Sequence, residues 1–376
     1  MINKKRLISL TEKLIRVDSQ NPGSDESAIA AFAAGYLKKM GLRPRIYEFK
    51  EKRSNLIAVL PARNSRHSLL ITPHLDTVPK GKNWSFNPFM AKISAGRIYG
   101  LGATDCKGNV AAAIEAVNSL IEEKAALNYN LIFAATADEE CGSLLGLIPL
   151  LRKGILKADA ALVLDSDDFK IIVSQKGLLH LRVKISGKRT HGACPWRGVN
   201  AISIAVEILT QLKKKKLSSS YNSLLHPATV NIGTIRGGDK VNIVADWCEF
   251  ELDFRFLPGG TALKFIADLK KIIRKSTDSF KLEIEDLQKP YQISRDHPLV
   301  AQLSGAMKRL GMARRICGSE GATTITFFAQ KGIPAIATGF GSSGCCHTAD
   351  EYIKIDTLFN GARVLEEFLK TYRFKD

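Results

Sequence analysis

Apolar residues recur along this chain with two different periods, and the pattern changes character twice. In residues 3–18 leucine and isoleucine fall three and four positions apart, which predicts an amphipathic helix. A second helix is predicted from Asp25 to Met40, between the Asn21-Pro22-Gly23 turn and Gly41. Short apolar runs then predict strands at 43–49, 54–60, 68–72 and 92–99, a helix near 107–124, and further strands at 129–136 and 160–164. Helices and strands in turn describe a layered α/β domain.

From Gly177 the pattern shifts to strands at 178–187, 228–236, 247–256 and 281–287, interleaved with helices at 198–214 and 261–275. After Pro290 the first pattern resumes, with a helix from 297, another at 321–331 ended by Gly332, a strand at 334–338 and a terminal helix from 355. The expected organisation is a discontinuous α/β domain of residues 1–177 and 290–376, interrupted by an α+β insertion at 178–289. No internal repeat or low-complexity segment is visible.

A hydrophobic content of 45% over 376 residues is enough for two packed cores. No run of about eighteen apolar residues occurs, and the Lys-rich start lacks the apolar stretch and cleavage site of a signal peptide, so a cytoplasmic protein is expected. The seven cysteines are an odd number without CxxC pairs, which fits reduced thiols. Cys106 and Cys141 stand next to candidate ligands and are either soft competitors for metal or small buried residues. The net charge of +18 raises nucleic acid, membrane surfaces and anionic small molecules as partners. Its bases are spread along the chain, and the densest run, Lys213 to Lys216, closes a predicted helix without an aromatic-interleaved basic motif. Carboxylate-bearing substrates fit that charge better than nucleic acid or membrane.

The chemistry-bearing residues cluster at strand ends and turns. The strand 68–72 runs into Pro73-His74-Leu75-Asp76. A glycine-rich turn, Gly100 to Gly108, places Asp105 ahead of a helix, and strand 129–136 runs through Ala137 to Asp138-Glu139-Glu140. Strand 160–164 ends at Asp165, with Asp167 and Asp168 close behind, and a late glycine loop carries His347. Each has a plain reading: a hydrogen-bonded loop histidine, a helix cap, a solvated acidic turn. Together they form a nitrogen and oxygen donor set suited to zinc or similar divalent ions.

These segments resemble the dinuclear zinc aminoacylase and carboxypeptidase family, which includes acetylornithine deacetylase, succinyl-diaminopimelate desuccinylase and glutamate carboxypeptidase. The matching segments are PHLDTVP, WSFNPF, GRIYGLGATDCKGNVAAAI, the Asp-Glu-Glu run, RTHGACPWRGVNAI, VNIVADWCEFELDFRFLPG and GFGSSGCCHTADEYI, in family order over nearly the whole chain. The resemblance implies a zinc-aminopeptidase-like α/β/α catalytic domain with an inserted α+β dimerisation or lid domain, and a homodimer formed through that insertion. It implies two divalent ions, zinc first and cobalt or manganese as alternatives. His74 and Asp165 would hold one ion, Glu140 and His347 the other, and Asp105 would bridge them. Asp76 would orient the His74 ring and Glu139 would act as general base. His191 would support the oxyanion in the neighbouring subunit's site, with a structural turn histidine as its plain alternative. Asn242 and Arg255 would bind the substrate carboxylate, a surface ion pair being the alternative for Arg255.

The sequence departs from the family pattern at Leu101, Cys106 and Thr324, where Arg, Met and Asp are usual. Asp165 stands where many relatives have Glu, and Asp167 or Asp168 is an alternative ligand. The implied activity is hydrolysis of an N-acyl amino acid, with carboxypeptidase or dipeptidase action on the same site as the alternative. An inactive dimeric binding protein is the reading from another class, and it predicts a lost ligand or base.

Overall fold

The computed structural model describes residues 1–63, 65–217 and 221–374, which form two compact units. The first comprises Met1–Val173, Ile293–Cys317 and Thr323–Asp376, the second Ser174–Gln292 and Gly318–Ala322.

In chain order the first unit begins with α1 (Lys4–Ile15), α2 (Ser27–Lys39), β1 (Arg45–Glu48), β2 (Ser54–Leu60) and β3 (Ser68–Thr72). It continues with β4 (Lys92–Ser94), β5 (Arg97–Tyr99), α3 (Lys107–Glu122), β6 (Asn130–Ala135), α4 (Leu147–Arg152), β7 (Ala160–Leu164) and β8 (Lys170–Gln175). The chain then passes through β9 (Gly177–Ser186), α5 (Ala201–Lys214), β10 (Thr229–Gly237), β11 (Trp247–Phe256), α6 (Ala262–Ile273), β12 (Phe280–Gln288) and β13 (Tyr291–Gln292). It ends with α7 (Pro298–Arg309), β14 (Arg315–Ser319), α8 (Ile325–Ala329), β15 (Ala335–Thr338), β16 (Tyr352–Lys354) and α9 (Ile355–Thr371).

The sheet of the first unit runs β1-β2-β6-β3-β7-β15-β8, and β6, β3, β7 and β15 are mutually parallel. These four are apolar over nearly their whole length because a parallel strand is covered on both faces. α3 is buried from Lys107 to Leu120. Its run of alanines allows close packing against α1 and α9, and α7 also packs on α9. The two charges that this leaves inside are answered: Arg6 pairs with Glu115 at 2.6 Å, and the Lys107 ammonium donates to the Val17 carbonyl at 2.7 Å.

The second unit is an antiparallel sheet of order β10-β11-β9-β12. β9 and β11 alternate buried and half-buried positions along their length, so one face is a core and the other is not. Leu179, Leu181 and Val183 of β9 and Phe250, Leu252 and Phe254 of β11 form that core with Ala205, Ile208 and Leu212 of α5 and Phe265 and Leu269 of α6. The opposite face is a lattice of charges, including Arg182 with Glu251 (2.6 Å) and Lys184 with Glu283 (2.8 Å).

Several elements differ from the sequence expectation. The strand at 92–99 is two short strands around Ala95 and Gly96, both with positive φ. The helix expected at 198–214 starts only at Ala201, because the Asn200 side chain accepts the N–H groups of Ile202 and Ser203 as a cap. The helix expected at 321–331 is confined to Ile325–Ala329. α4, β8 and β14 have no counterpart in the sequence reading. Among the described residues no helix is long and apolar enough to cross a membrane.

Candidate metal centre

Adjacent parallel strands deliver the side chains of this centre from their carboxyl ends, the end at which open α/β sheets bind ligands. β3 lies between β6 and β7. Beyond its last residue the chain stays beside the continuation of β6: Leu75 N–H donates to Thr136 O at 2.8 Å, and Thr136 N–H to Pro73 O at 3.1 Å. His74 therefore leaves the sheet next to the Asp138-Glu139-Glu140 turn. Asp165 follows β7 directly, and β15, parallel to β7, leads through Gly339 into the loop of His347. A Cβ on Gly339 would meet the Ser166 carbonyl at 1.9 Å, so glycine is required where these two loops cross. Asp105 comes from the turn ahead of α3.

The two oxygens of Asp105 face two different histidines. His74 Nε2 lies 2.9 Å from Oδ1, and His347 Nε2 lies 3.1 Å from Oδ2. Glu140 Oε2 is 3.3 Å from the same His347 nitrogen, and Asp165 Oδ1 is 4.0 Å from His74 Nε2. The donor atoms of Asp105, Glu140 and His347 lie within 4.8 Å of one another, and so do those of His74, Glu139 and Asp165. His74 is buried, whereas the His347 ring is half exposed.

Charge is crowded here beyond what the protein alone balances. Burial and then the charge of Asp105 raise the Asp165 carboxyl to about 7, and burial and then Asp165 push Glu139 well above the usual carboxylate range. Asp105 is held well below that range despite its burial, by hydrogen bonds with His347 and His74. His347 is raised to about 11 by its bonds to Asp105 and Glu140. Burial opposes charge on His74, yet Cys106, Asp105 and Asp76 hold its pKa well above the ordinary value. The Cys106 thiol is pushed up to about 12 by burial and is neutral near pH 7, so the carboxylates are the operative partners. Divalent cations would relieve this repulsion, and Glu140 Oε1 is buried with no hydrogen-bond partner among the described residues. Carboxylates and imidazoles in this arrangement fit such ions.

Asp76 holds the Asp138–Glu140 turn in place. Its Oδ1 accepts the Glu139 N–H and its Oδ2 the Glu140 N–H, both at 3.1 Å. Toward His74 the geometry differs from the expected carboxylate–imidazole bond: Nδ1 lies 3.0 Å from the Asp76 main-chain carbonyl and 3.5 Å from its carboxylate. Cys106 forms a clasp on the same histidine, its sulfur accepting the His74 N–H at 3.1 Å and donating to the His74 carbonyl at 3.2 Å. Asp167 is engaged by Lys170 at 2.6 Å and by the Ser343 hydroxyl at 2.5 Å. Among the described residues neither Asp167 nor Asp168 joins a metal-ligating group.

Sequence reasoning missed four residues that brace this centre. The Asn21 amide donates to Asp76 Oδ2 at 3.0 Å and to Asp138 Oδ1 at 3.1 Å. Arg53 reaches Glu26 at 2.8 Å and Asp138 at 3.3 Å, and Glu26 accepts the Asp138 N–H at 3.2 Å. Glu351, fully inside, accepts three main-chain N–H groups of the Asp105 turn. Of these, Glu351 alone lay in a segment matched to the family, and no spacing rule distinguishes a buried carboxylate from its exposed neighbours.

His191, Asn242 and Arg255 belong to the second unit. His191 is exposed, forms a bridge with Ile243, and its Nδ1 accepts the Ala193 N–H at 3.0 Å. The Asn242 carbonyl accepts the Gly192 N–H at 2.7 Å, which ties these two segments together. Arg255 makes a two-pronged contact with Asp253, at 2.7 and 3.1 Å.

The model of peptidase family M20/M25/M40 matches residues 70–371. An acetylornithine deacetylase of Proteus mirabilis (strain HI4320) is 30% identical over 365 residues, 93% of this chain and 90% of the relative. A metallo-carboxypeptidase of Sulfolobus solfataricus superimposes with a TM-score of 0.82 over 98% of this chain and 99% of its own, at 23% identity. An aminopeptidase of Bacillus cereus gives 0.81 over 98% of both chains at 24% identity. At such identities the two solved structures establish the fold alone.

Proposed function

Because the chain belongs to peptidase family M20/M25/M40 and is a metal-dependent hydrolase of amide bonds, we propose that it removes the acyl group from an N-acyl amino acid bearing a free carboxylate. His74 and Asp165 would hold one ion, Glu140 and His347 the other, and Asp105 both, with zinc favoured by this donor set and cobalt or manganese able to replace it. The observation that carries this reading is the division of Asp105, one oxygen 2.9 Å from His74 and the other 3.1 Å from His347. When bound, the ions supply Lewis acidity to the amide carbonyl and lower the pKa of the attacking water.

The remaining steps belong to side chains of this protein. Glu139, its N–H held by Asp76, takes the proton from water and hands it to the leaving nitrogen. With Nδ1 accepting from Ala193, the His191 ring carries its proton on Nε2, the form needed to donate to a developing oxyanion. It would act in the site of a second copy, and exposed Trp196, Ile202 and Val206 offer apolar surface for that pairing. Arg255 and Asn242 would receive the substrate carboxylate, which must compete with Asp253 for the guanidinium.

Relatives named as acetylornithine deacetylases support acyl release over peptide cleavage. The complete set of ligands and the base argue against an inactive binding protein. The test is metal analysis of the purified chain, followed by hydrolysis of N-acetyl amino acids, N-succinyl amino acids and dipeptides. Two ions per chain with acyl substrates preferred is expected. A preference for dipeptides would move the assignment to a peptidase, and absence of bound metal would overturn it.

A further inference from the structure

The turn that carries Asp105 spans the irregular stretch between β5 and the Cys106 cap of α3, and Asp105 must present one oxygen to each of two histidines. Gly102 in this turn has a φ of 81°, and a Cβ there would come within 2.7 Å of Thr77 Cγ2, so the backbone packs tightly and side-chain bracing is scarce. Besides the main-chain bonds of Leu101 to Pro88 and of Lys107 to Gly102, the turn is braced by one carboxylate. Glu351 Oε2 accepts the Gly102 N–H at 2.9 Å, while Oε1 accepts the N–H groups of Thr104 at 2.8 Å and Asp105 at 3.0 Å. The Glu351 main-chain carbonyl also accepts the Gly100 N–H at 2.9 Å. Four donors of one turn thus converge on a single buried residue, three of them on ionisable oxygens, where hydrogen bonds are strongest.

Glu351 is also four residues beyond His347, immediately ahead of β16. The loop from Gly339 to Asp350 is irregular, and its fixed point on the Asp105 side is this cluster, joined by the Thr104 hydroxyl, which donates to Tyr352 O at 2.7 Å and accepts the Ser342 N–H at 3.0 Å. The same carboxylate therefore sets the position of the Asp105 turn and anchors the loop that brings His347. It touches neither a ligand nitrogen nor a reacting atom.

We infer that Glu351 is a positioning residue that registers Asp105 against His347 and so makes Asp105 a shared ligand. The inference rests on the reading of Asp105 as the ligand common to both ions. Glutamine in its place has one acceptor and one NH2 group. Whichever way the amide is turned, either Gly102 or the pair Thr104 and Asp105 then faces a donor, and the turn loses its fixed point.

The experiment uses metal-free full-length chain titrated with Mn2+, with ions per chain counted and magnetic coupling between them read by electron paramagnetic resonance. Wild type should bind two ions that are coupled through the shared carboxylate. Glu351→Gln should lower the affinity for the second ion by at least ~10-fold and abolish the coupling at a temperature where the variant is still folded. Glu351→Asp, with the charge on a shorter arm, should fall between, and it decides the matter if the glutamine variant does not fold. Uncoupled or single ions in wild type would overturn the shared-ligand reading and this inference with it. Coupled pairs of wild-type affinity in both folded variants would overturn the role of Glu351 alone.

Discussion

The carboxylate of Asp76 accepts the main-chain N–H of Glu139 at 3.1 Å, so the residue beside the His74 ring also fixes the backbone of the proposed base. Its second oxygen does the same for Glu140 at 3.1 Å. Asp76→Asn keeps the shape but turns an amide hydrogen toward one of these donors or toward Asn21. Metal affinity should fall by ~10–100-fold, as for other groups that support metal ligands, and turnover should fall with it. Competition with a chromogenic chelator measures the first effect. Unchanged affinity and turnover would show that the turn holds itself.

Glu139 and Glu140 are neighbours in sequence, yet only Glu140 shares a group with Asp105 and His347. Glu139→Gln should leave two ions per chain and reduce turnover by at least ~100-fold, because the amide cannot accept the water proton. Glu140→Gln should instead lower metal content. If the Glu139 variant loses an ion, then Glu139 is a ligand with His74 and Asp165, and the base must be sought elsewhere.

The positions of His74, the Asp138-Glu139-Glu140 run and Asp165 were legible because each follows the end of an apolar run, whereas Asp105 and His347 lie in glycine-rich turns and their proposed roles came from the family resemblance. Strand ends at 72 and 164 were read to the residue, and His74 and Asp165 followed from them. Parallel strands buried on both faces produce such unbroken apolar runs, which mark where a site can form but not which residues bind there. The bracing was not legible. Asn21 reads as part of a turn, Arg53 and Glu26 as solvated charges, and Glu351 as one acid among several. Their meaning depends on contacts between residues far apart in the chain, and burial of a single polar residue leaves no period in sequence. β8 was missed because its apolar run is only Ile171-Ile172-Val173, cut off by the polar Ser174-Gln175-Lys176 before β9.

Glu26 gives the fold a pH dependence of its own. Its carboxyl is raised to about 7, by burial first and then by the charge of Asp76, against the pull of Arg53. Between pH ~4.5 and about 7 the folded chain keeps a proton that the unfolded chain releases, so this contribution is full below ~4.5 and is lost as pH rises to 7, on the order of 3 kcal/mol in all. Glu26→Gln removes the titration and keeps an oxygen for Arg53 and the Asp138 N–H. In metal-loaded protein, wild type should lose more stability than the variant between pH 4.5 and 8, measured by urea unfolding. Parallel slopes would show that Glu26 does not titrate in this window.

His191 offers the sharpest test of pairing between copies. It is exposed in the second unit, and its Nδ1 accepts the Ala193 N–H, so that Nε2 is the nitrogen left to donate. His191→Ala should reduce turnover while metal content stays near wild type, since among the described residues no metal-ligating group includes it. If the histidine serves the partner's centre, a dimer of one His191→Ala chain and one Glu139→Gln chain contains one complete site, with the base from the first chain and the donor from the second. If it serves its own centre, that dimer contains none. Random pairing makes half of the dimers mixed, so activity should recover to about a quarter of wild type. Co-expressed variants carrying two different affinity tags allow the mixed dimer to be isolated and assayed directly. Recovery requires both that the chain pairs and that the donor crosses between copies. A mixed dimer as inactive as its parents would place His191 in its own site or outside catalysis, and a chain that remains monomeric while active would remove the exchange altogether.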